Sequence, residues 1–267
     1  MTPVRVCLAG ATGWAGSELA RGIARAKDLS LVAAVSRTEA GRKLSEVLGE
    51  PRLKARIFGT AQKALATQCE VFVEYTSPES AKEHVRAALE HDAHVVIGTS
   101  GLTDEDLAEL DVLARKRHRG VLACGNFALS AVLLMRFAEM AAKLMPQWEL
   151  IDYAGSEKRD APSGTVRELA ARLAKVRAPE PSVPVADTVG ARDARGAMIA
   201  GSQVHSLRLP SYLISAEAIF GMDEQRLTIR HDSGNSAKPY VEGALIAIRK
   251  VHTLVGVHRG LDSVLEI

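Results

Sequence analysis

The chain has 267 residues, 47% hydrophobic and 25% charged, enough material for a sizeable core and far from the composition of a disordered protein. Lysine and arginine number 34 against 32 aspartate and glutamate, so no strong field exists to gather nucleic acid or an anionic membrane. Any anionic ligand must be met by local chemistry, and the length suggests two domains.

The N-terminal stretch MTPVRVCLAG enters an apolar strand pattern at once, without the basic and long apolar regions of a secretory signal, so a cytoplasmic protein is expected. SAVLLM at 130–135 falls far short of the roughly 20 residues a spanning helix needs. Cys7, Cys69 and Cys124 form an odd set with no CxxC spacing and read as single buried thiols.

Apolar strand runs at 4–9, 30–35, 70–75, 93–97 and 121–123 alternate with helical stretches at 14–26, 78–91 and 104–118. That alternation predicts a parallel sheet with crossover helices, a doubly wound α/β domain over residues 1–126. Thr76 and Glu79 are placed for a capping box around Pro78, and Thr103 precedes three acids, Asp104 to Asp106, at the next helix start. From 129 the rhythm changes to one long helix to about 145, a strand at 148–153 and a helix opening after Pro162. Residues 178–196 read as a surface loop. Strands follow at 203–209 and 213–220, then the turn GMDE and RLTIRHD with Leu227 and Ile229 in alternation. This is an α+β pattern with an open, largely antiparallel sheet covered on one face. Val241, Leu245, Ile248 and Val251 mark a last helix at 239–252 beginning with Pro239.

The turn GATGWAG joins the first strand to the first helix with Gly10, Gly13 and Gly16 in GxxGxxG spacing and Thr12, Trp14 and Ala15 between them. Such a turn lets backbone N–H groups approach a pyrophosphate at a helix N-terminus, which makes these residues a candidate dinucleotide site; a plain strand–helix turn is the alternative. The second strand runs into Ser36 and Arg37, with no acid for a ribose 2′-hydroxyl. A hydroxyl beside a guanidinium suits a 2′-phosphate and points to NADPH, with NADH as the second choice. Arg42 and Lys43 nearby leave a solvated basic loop as the competing account.

At this point the sequence resembles the dihydrodipicolinate reductase family, also called 4-hydroxy-tetrahydrodipicolinate reductases. The resemblance rests on GATGWAG at 10–16, EYTSPES at 74–80, GTSG at 98–101, GNFALS at 125–130, KRDAPSGT at 158–165 and RLTIRHDS at 226–233, six motifs in family order along nearly the whole chain. It implies a Rossmann domain of residues 1–126 and 239–267, a substrate-binding and oligomerisation domain of residues 127–238, and a homotetramer joined through open sheets. It also implies that Gly98, Thr99 and Gly101 border the nicotinamide, with Tyr75 and Thr76 in the same cofactor set and Asn126 and Phe127 at the domain hinge. GTSG read alone could equally be a turn before the next helix.

DAPSGT has its own physics. Ser163, Gly164 and Thr165 follow Pro162 at a helix start, where N–H groups and two hydroxyls converge as a carboxylate receptor; an ordinary capped helix start is the alternative. The resemblance gives Lys158 a part in binding and protonating a cyclic imine dicarboxylate, although a lone loop lysine is otherwise a solvated one.

The family pattern has a His-His pair, two residues and then this lysine, and here the pair is replaced by Ala154 and Gly155. A positioned general acid is worth about 10²- to 10⁴-fold in rate. His205 and His231 fall on strands and read as hydrogen-bonded structural histidines, leaving Tyr153, Glu157 and Lys158, of which Lys158 is taken as the proton donor. A second departure is GNSAKPY at 234–240, where family members often carry an arginine or a Ser-Phe pair. The expected function is reduction of a cyclic imine or enamine dicarboxylate, with 4-hydroxy-tetrahydrodipicolinate first. A family member recruited to another imine or carbonyl acid, and a non-catalytic NADP(H)-binding sensor, are the competing readings.

Overall fold

The structure is a computed structural model that describes residues 2–211 and 214–266. The chain divides into two compact units, Met1–Ala128 with Ser236–Ile267, and Leu129–Asn235.

In the first unit the elements run β1 (Val4–Ala9), α1 (Trp14–Arg25), β2 (Leu29–Val35), α2 (Leu44–Leu48), β3 (Arg56–Phe58), α3 (Ala61–Leu65), β4 (Val71–Glu74), α4 (Pro78–Glu90), β5 (His94–Ile97), α5 (Asp104–Lys116) and β6 (Gly120–Ala123). The second unit holds α6 (Leu129–Ala142), β7 (Gln147–Ala154), α7 (Gly164–Val176), β8 (Ala197–Ile199), β9 (Ser202–Arg208), β10 (Ile214–Met222) and β11 (Gln225–Ser233). The chain then returns to the first unit through α8 (Pro239–Lys250) and β12 (Gly256–Arg259).

The first sheet has seven strands in the order β12-β6-β5-β4-β1-β2-β3, every pair parallel. Runs such as VFVE and HVVI carry almost no polar alternation because helices cover both faces of a parallel sheet. Thr103 caps α5 through a reciprocal box with Asp106. The box expected at Thr76 and Glu79 does not form: Ser77 is the N-cap residue of α4, without a side-chain cap, and the Thr76 hydroxyl donates instead to the Glu74 carboxylate. A buried acid competes better for that hydroxyl than a helix end open to water. The short elements α2, β3, α3 and β12 were not expected, since three to five residues are too few to show a period. Cys7, Cys69 and Cys124 are free thiols, Cys7 and Cys124 buried and Cys69 only partly so; a hydrogen bond between Cys7 and Cys69 raises the Cys7 thiol well above its usual range and lowers Cys69.

The second sheet has five strands in the order β11-β10-β7-β9-β8, with β7 and β9 parallel and the other three pairs antiparallel. α6 and α7 cover one face, where Leu134, Met135, Ala138, Leu169 and Leu173 pack on Trp148, Leu150, Val204, Ala218 and Phe220. Ile229 packs at the margin of this core, but Leu227, opposite the buried Phe220, is exposed, so the cover thins out along the edge strand β11. The strand start expected at 213 lies outside the described residues. Residues 178–196 form an irregular segment with two short 3₁₀ turns, Val185–Asp187 and Arg192–Arg195. Among the described residues no helix is long and apolar enough to cross a membrane.

The returning helix is locked to the first unit at Gly243, where a Cβ would lie 2.0 Å from the Phe127 carbonyl oxygen and 2.8 Å from Leu261. Backbone cannot yield as a side chain can. Gly243→Ala should therefore destabilise the protein by about 1–3 kcal/mol despite the better helix propensity of alanine. Gly221→Ala, where nothing lies within 4 Å, should stay within about 0.5 kcal/mol. Denaturant titration of both variants checks the contrast.

Candidate active site

In the first unit the candidate dinucleotide turn is built on near-contact of backbones. Gly10 has φ +79°, and a Cβ there would lie 2.1 Å from the Tyr75 carbonyl oxygen; one on Gly16 would lie 2.1 Å from the Gly10 oxygen. Side chains would fill the cradle and push α1 away from β1. Gly13 is the N-cap residue of α1 and supplies no side-chain cap, so the first-turn N–H groups are left to face a ligand beside Trp14 and Ala15. The Thr12 and Ser36 hydroxyls lie 2.8 Å apart, joining this turn to the end of β2. Ser36 is buried and Arg37 exposed. The Arg37 charge reaches Glu79, whose carboxyl is lowered first by a hydrogen bond from Ser77 and last by Arg37.

Past the C-terminal ends of β4 and β5 the chain is organised by Glu74, whose side chain is wholly buried. Its Oε1 accepts the Thr76 N–H at 2.8 Å, the Thr76 hydroxyl and the Thr99 hydroxyl at 3.3 Å, and its Oε2 lies 2.8 Å from His84 Nδ1. One carboxylate thus fixes both EYTSPES and GTSG. Tyr75 packs against Phe127 with ring centroids 5.8 Å apart, and a Cβ on Gly98 would lie 2.0 Å from the Tyr75 ring. The Tyr75 hydroxyl is buried without a hydrogen-bond partner, and burial holds its pKa well above the usual phenol range. Gly101, at φ +102°, sits against Pro78, and Asn126 Oδ1 accepts the Ala128 N–H at 2.8 Å. The glycine cradle, the uncapped α1 and this orphan hydroxyl fit a bound dinucleotide.

In the second unit the residues of KRDAPSGT follow the C-terminal end of β7. Lys158 Nζ lies 2.7 Å from Asp160 Oδ1, and the Lys158 N–H closes a turn onto the Gly155 carbonyl at 3.1 Å. Ser163 is the N-cap residue of α7 yet makes no side-chain cap bond, so its hydroxyl and the N–H groups of Gly164 and Thr165 lie together at the helix head. The Ser163 N–H donates to Asp152 Oδ2 at 2.9 Å. Asp152 is 1% exposed and also takes Arg208 Nη2 at 2.7 Å and the Ser206 hydroxyl at 3.2 Å. A cavity lined by Trp148, Pro181, Val185, Met198 and Gln203 lies at the opposite end of β7 and has no part in this constellation.

Among the acids considered for proton donation, Tyr153 points to the sheet face opposite Asp152. There its hydroxyl donates to Glu217 at 2.9 Å and the Arg230 guanidinium lies 4.5 Å over its ring. His205 Nε2 is 2.7 Å from Glu149, and His231, lowered by burial, is 2.8 Å from the Ser130 hydroxyl. Glu157 is exposed, and Ala154 and Gly155 bring no polar side chain. The sequence reasoning gave no role to Glu74, His84, Asp152 or Arg208. Asp152 had a readable signal, since it shares the covered face of β7 with Trp148 and Leu150.

Residues 4–127 match the family described as dihydrodipicolinate reductase, N-terminus, and residues 130–265 match its C-terminus. The chain belongs to the dihydrodipicolinate reductase family. It is 35% identical over 267 residues to a 4-hydroxy-tetrahydrodipicolinate reductase of Bacillus mycoides, covering 100% of both chains. It is 39% identical over 265 residues to the Moorella thermoacetica enzyme of that name, covering 98% of both. A dipicolinate-bound dihydrodipicolinate reductase from Paenisporosarcina sp. TG-14 has the same fold, with TM-score 0.87 and 30% identity over 99% of this chain and 100% of that one. A reductase family on a Rossmann fold takes a nicotinamide cofactor. Gly98→Ala should displace the Tyr75 ring and weaken dinucleotide binding about tenfold or more, roughly 1.4 kcal/mol, in a fluorescence titration. Gly41→Ala is not a fair control because of its positive φ; Gly221→Ala, in the other unit, should leave the affinity unchanged.

Proposed function

We propose that the protein is an NAD(P)H-dependent 4-hydroxy-tetrahydrodipicolinate reductase serving lysine and diaminopimelate synthesis. The observation that carries this is the coexistence, in a chain similar to such reductases from end to end, of a side-chain-free dinucleotide cradle and an anion receptor headed by a serine that does not cap its own helix. That end-to-end similarity does not favour recruitment to a different acid or a silent sensor. The reading also places the protein in the cytoplasm, as a homotetramer.

Gly10, Thr12, Gly13, Trp14, Ala15 and Gly16 would hold the pyrophosphate, Ser36 and Arg37 a 2′-phosphate, and Tyr75, Thr76, Gly98, Thr99, Gly101, Asn126 and Phe127 the nicotinamide end. When bound, the cofactor supplies the hydride. The Ser163 hydroxyl, Gly164 and Thr165 receive a ring carboxylate, and Lys158 adds a positive charge. Reduction of a conjugated imine leaves electron density on the neighbouring carbon, where a proton has to arrive. Lys158 holds that proton at Nζ, with Asp160 keeping the side chain in place.

NADPH should bind about ten- to a hundredfold more tightly than NADH, the worth of a charge-assisted hydrogen bond of about 1.5–3 kcal/mol. Arg37→Asp should abolish or invert the preference; equal affinities in the unmodified protein would overturn the NADPH assignment.

Lys158→Ala should lower kcat by about 10²-fold or more. Ala154→His combined with Gly155→His should raise turnover of 4-hydroxy-tetrahydrodipicolinate, generated enzymatically and followed by NADPH oxidation. If the unmodified protein turns over at an ordinary rate and Lys158→Ala changes little, Lys158 is not the acid.

A further inference from the structure

Asp152 presents an electrostatic difficulty. Its carboxylate is buried at the head of α7, where the helix dipole and first-turn N–H groups favour one anion, and the proposed substrate must bring a second to the same helix end. Two carboxylates at one site oppose each other's ionisation.

Arg208 answers the difficulty by its position. It pairs with Ala154 in the parallel register of β7 and β9, on the strand position after Ser206 and Leu207, and its side chain is only 16% exposed. Nη2 donates to Asp152 Oδ2 and to the Asp160 carbonyl, both at 2.7 Å, while Nη1 donates to the Leu207 carbonyl at 2.9 Å and the Asp152 carbonyl at 3.4 Å. This is not the two-pronged fork an arginine makes when its whole purpose is an ion pair, for Asp152 Oδ1 and Arg208 Nε are both buried without partners. The guanidinium instead fans across backbone carbonyls. Asp152 thereby grips one end of the 160–163 segment, at the Ser163 N–H, and Arg208 the other, at the Asp160 carbonyl.

We infer that Asp152 and Arg208 are a positioning pair for the carboxylate receptor. Asp152 sets the place of the α7 head through the Ser163 N–H, and Arg208 cancels the Asp152 charge so that the same head accepts a substrate carboxylate. The inference rests on the proposed receptor role of Ser163, Gly164 and Thr165. It adds a charge balance that those residues alone do not supply, and neither member of the pair touches substrate.

The test reads KM and kcat separately, together with the affinity for dipicolinate, used as a dicarboxylate probe by calorimetry. Arg208→Gln leaves the Asp152 charge uncompensated, and should raise KM and the dipicolinate Kd at least tenfold while kcat changes less than threefold and NADPH affinity not at all. Arg208→Lys keeps the charge but cannot span both acceptors, and should fall between. The decisive variant is the double change Asp152→Asn with Arg208→Gln. Removing both charges should bring the dipicolinate Kd back to within about threefold of the unmodified value, whereas a purely structural pair would leave the double variant at least as impaired as Arg208→Gln. Should Arg208→Gln not fold, Asp152→Asn alone still decides. With Arg208 retained it should bind dipicolinate as tightly as the unmodified protein or several-fold more tightly, and a loss of tenfold or more overturns the inference. Thr165→Val separates the two layers. If it leaves KM unchanged the receptor reading fails, and if it raises KM while the charge variants show no compensation, only the positioning pair fails.

Discussion

A carboxylate withdrawn from water must be met by donors, and each unit of this protein is arranged around one that is. Glu74 closes β4 and Asp152 lies near the end of β7, both essentially without exposure. Each accepts from an N–H and a hydroxyl, and each has a basic side chain behind it, His84 in one case and Arg208 in the other. Leaving such a group unmet would cost several kcal/mol. The loops that follow these strands are therefore held where their donors are needed. Tyr75, Thr76 and Thr99 owe their placement to Glu74, and Ser163 with the head of α7 owes its placement to Asp152. Precision at a ligand site comes from groups behind those that touch the ligand.

The two architectures were legible because the longer strands and helices carry a period and the buried strands of the first sheet show as short apolar runs. The parallel first sheet followed from strand–helix alternation, and the mixed second sheet from period-two patterns after residue 202. β3, β8 and β12 were not legible, unlike the equally short but mostly apolar β4, β5 and β6, since their existence depends on a neighbouring strand edge. The turn residues of the candidate site were readable only as candidates, because glycine, serine and threonine at a strand end also serve plain turns and helix caps, and it was the family resemblance that singled them out. The acids behind them were not. Arg208 is 56 residues from Asp152, and only the parallel pairing of β7 with β9 brings them together. The capping box at Thr76 failed for a related reason: local spacing could not foresee a buried Glu74 competing for the hydroxyl.

Ala154 and Gly155 sharpen the chemical question at the end of β7. Neither titrates, and the groups with suitable chemistry nearby are largely engaged. Tyr153 serves the opposite sheet face, and His205 and His231 have polar partners of their own. Lys158 is also paired, through Asp160, an exposed residue of the same loop.

The return of α8 and β12 to the first unit has a bearing on how the protein is made. A ribosome delivers β1 to β6 first, then the whole of residues 129–235, and only afterwards the strand that pairs with β6. Until that strand emerges, Gly120–Ala123 presents an unpaired edge, and Gly22 on α1 lacks Val241, the side chain that packs against it. The inserted unit is contiguous and can fold during this interval; the nucleotide-binding half cannot be completed until it has passed. The second unit can thus be complete while the first still lacks its last helix and strand.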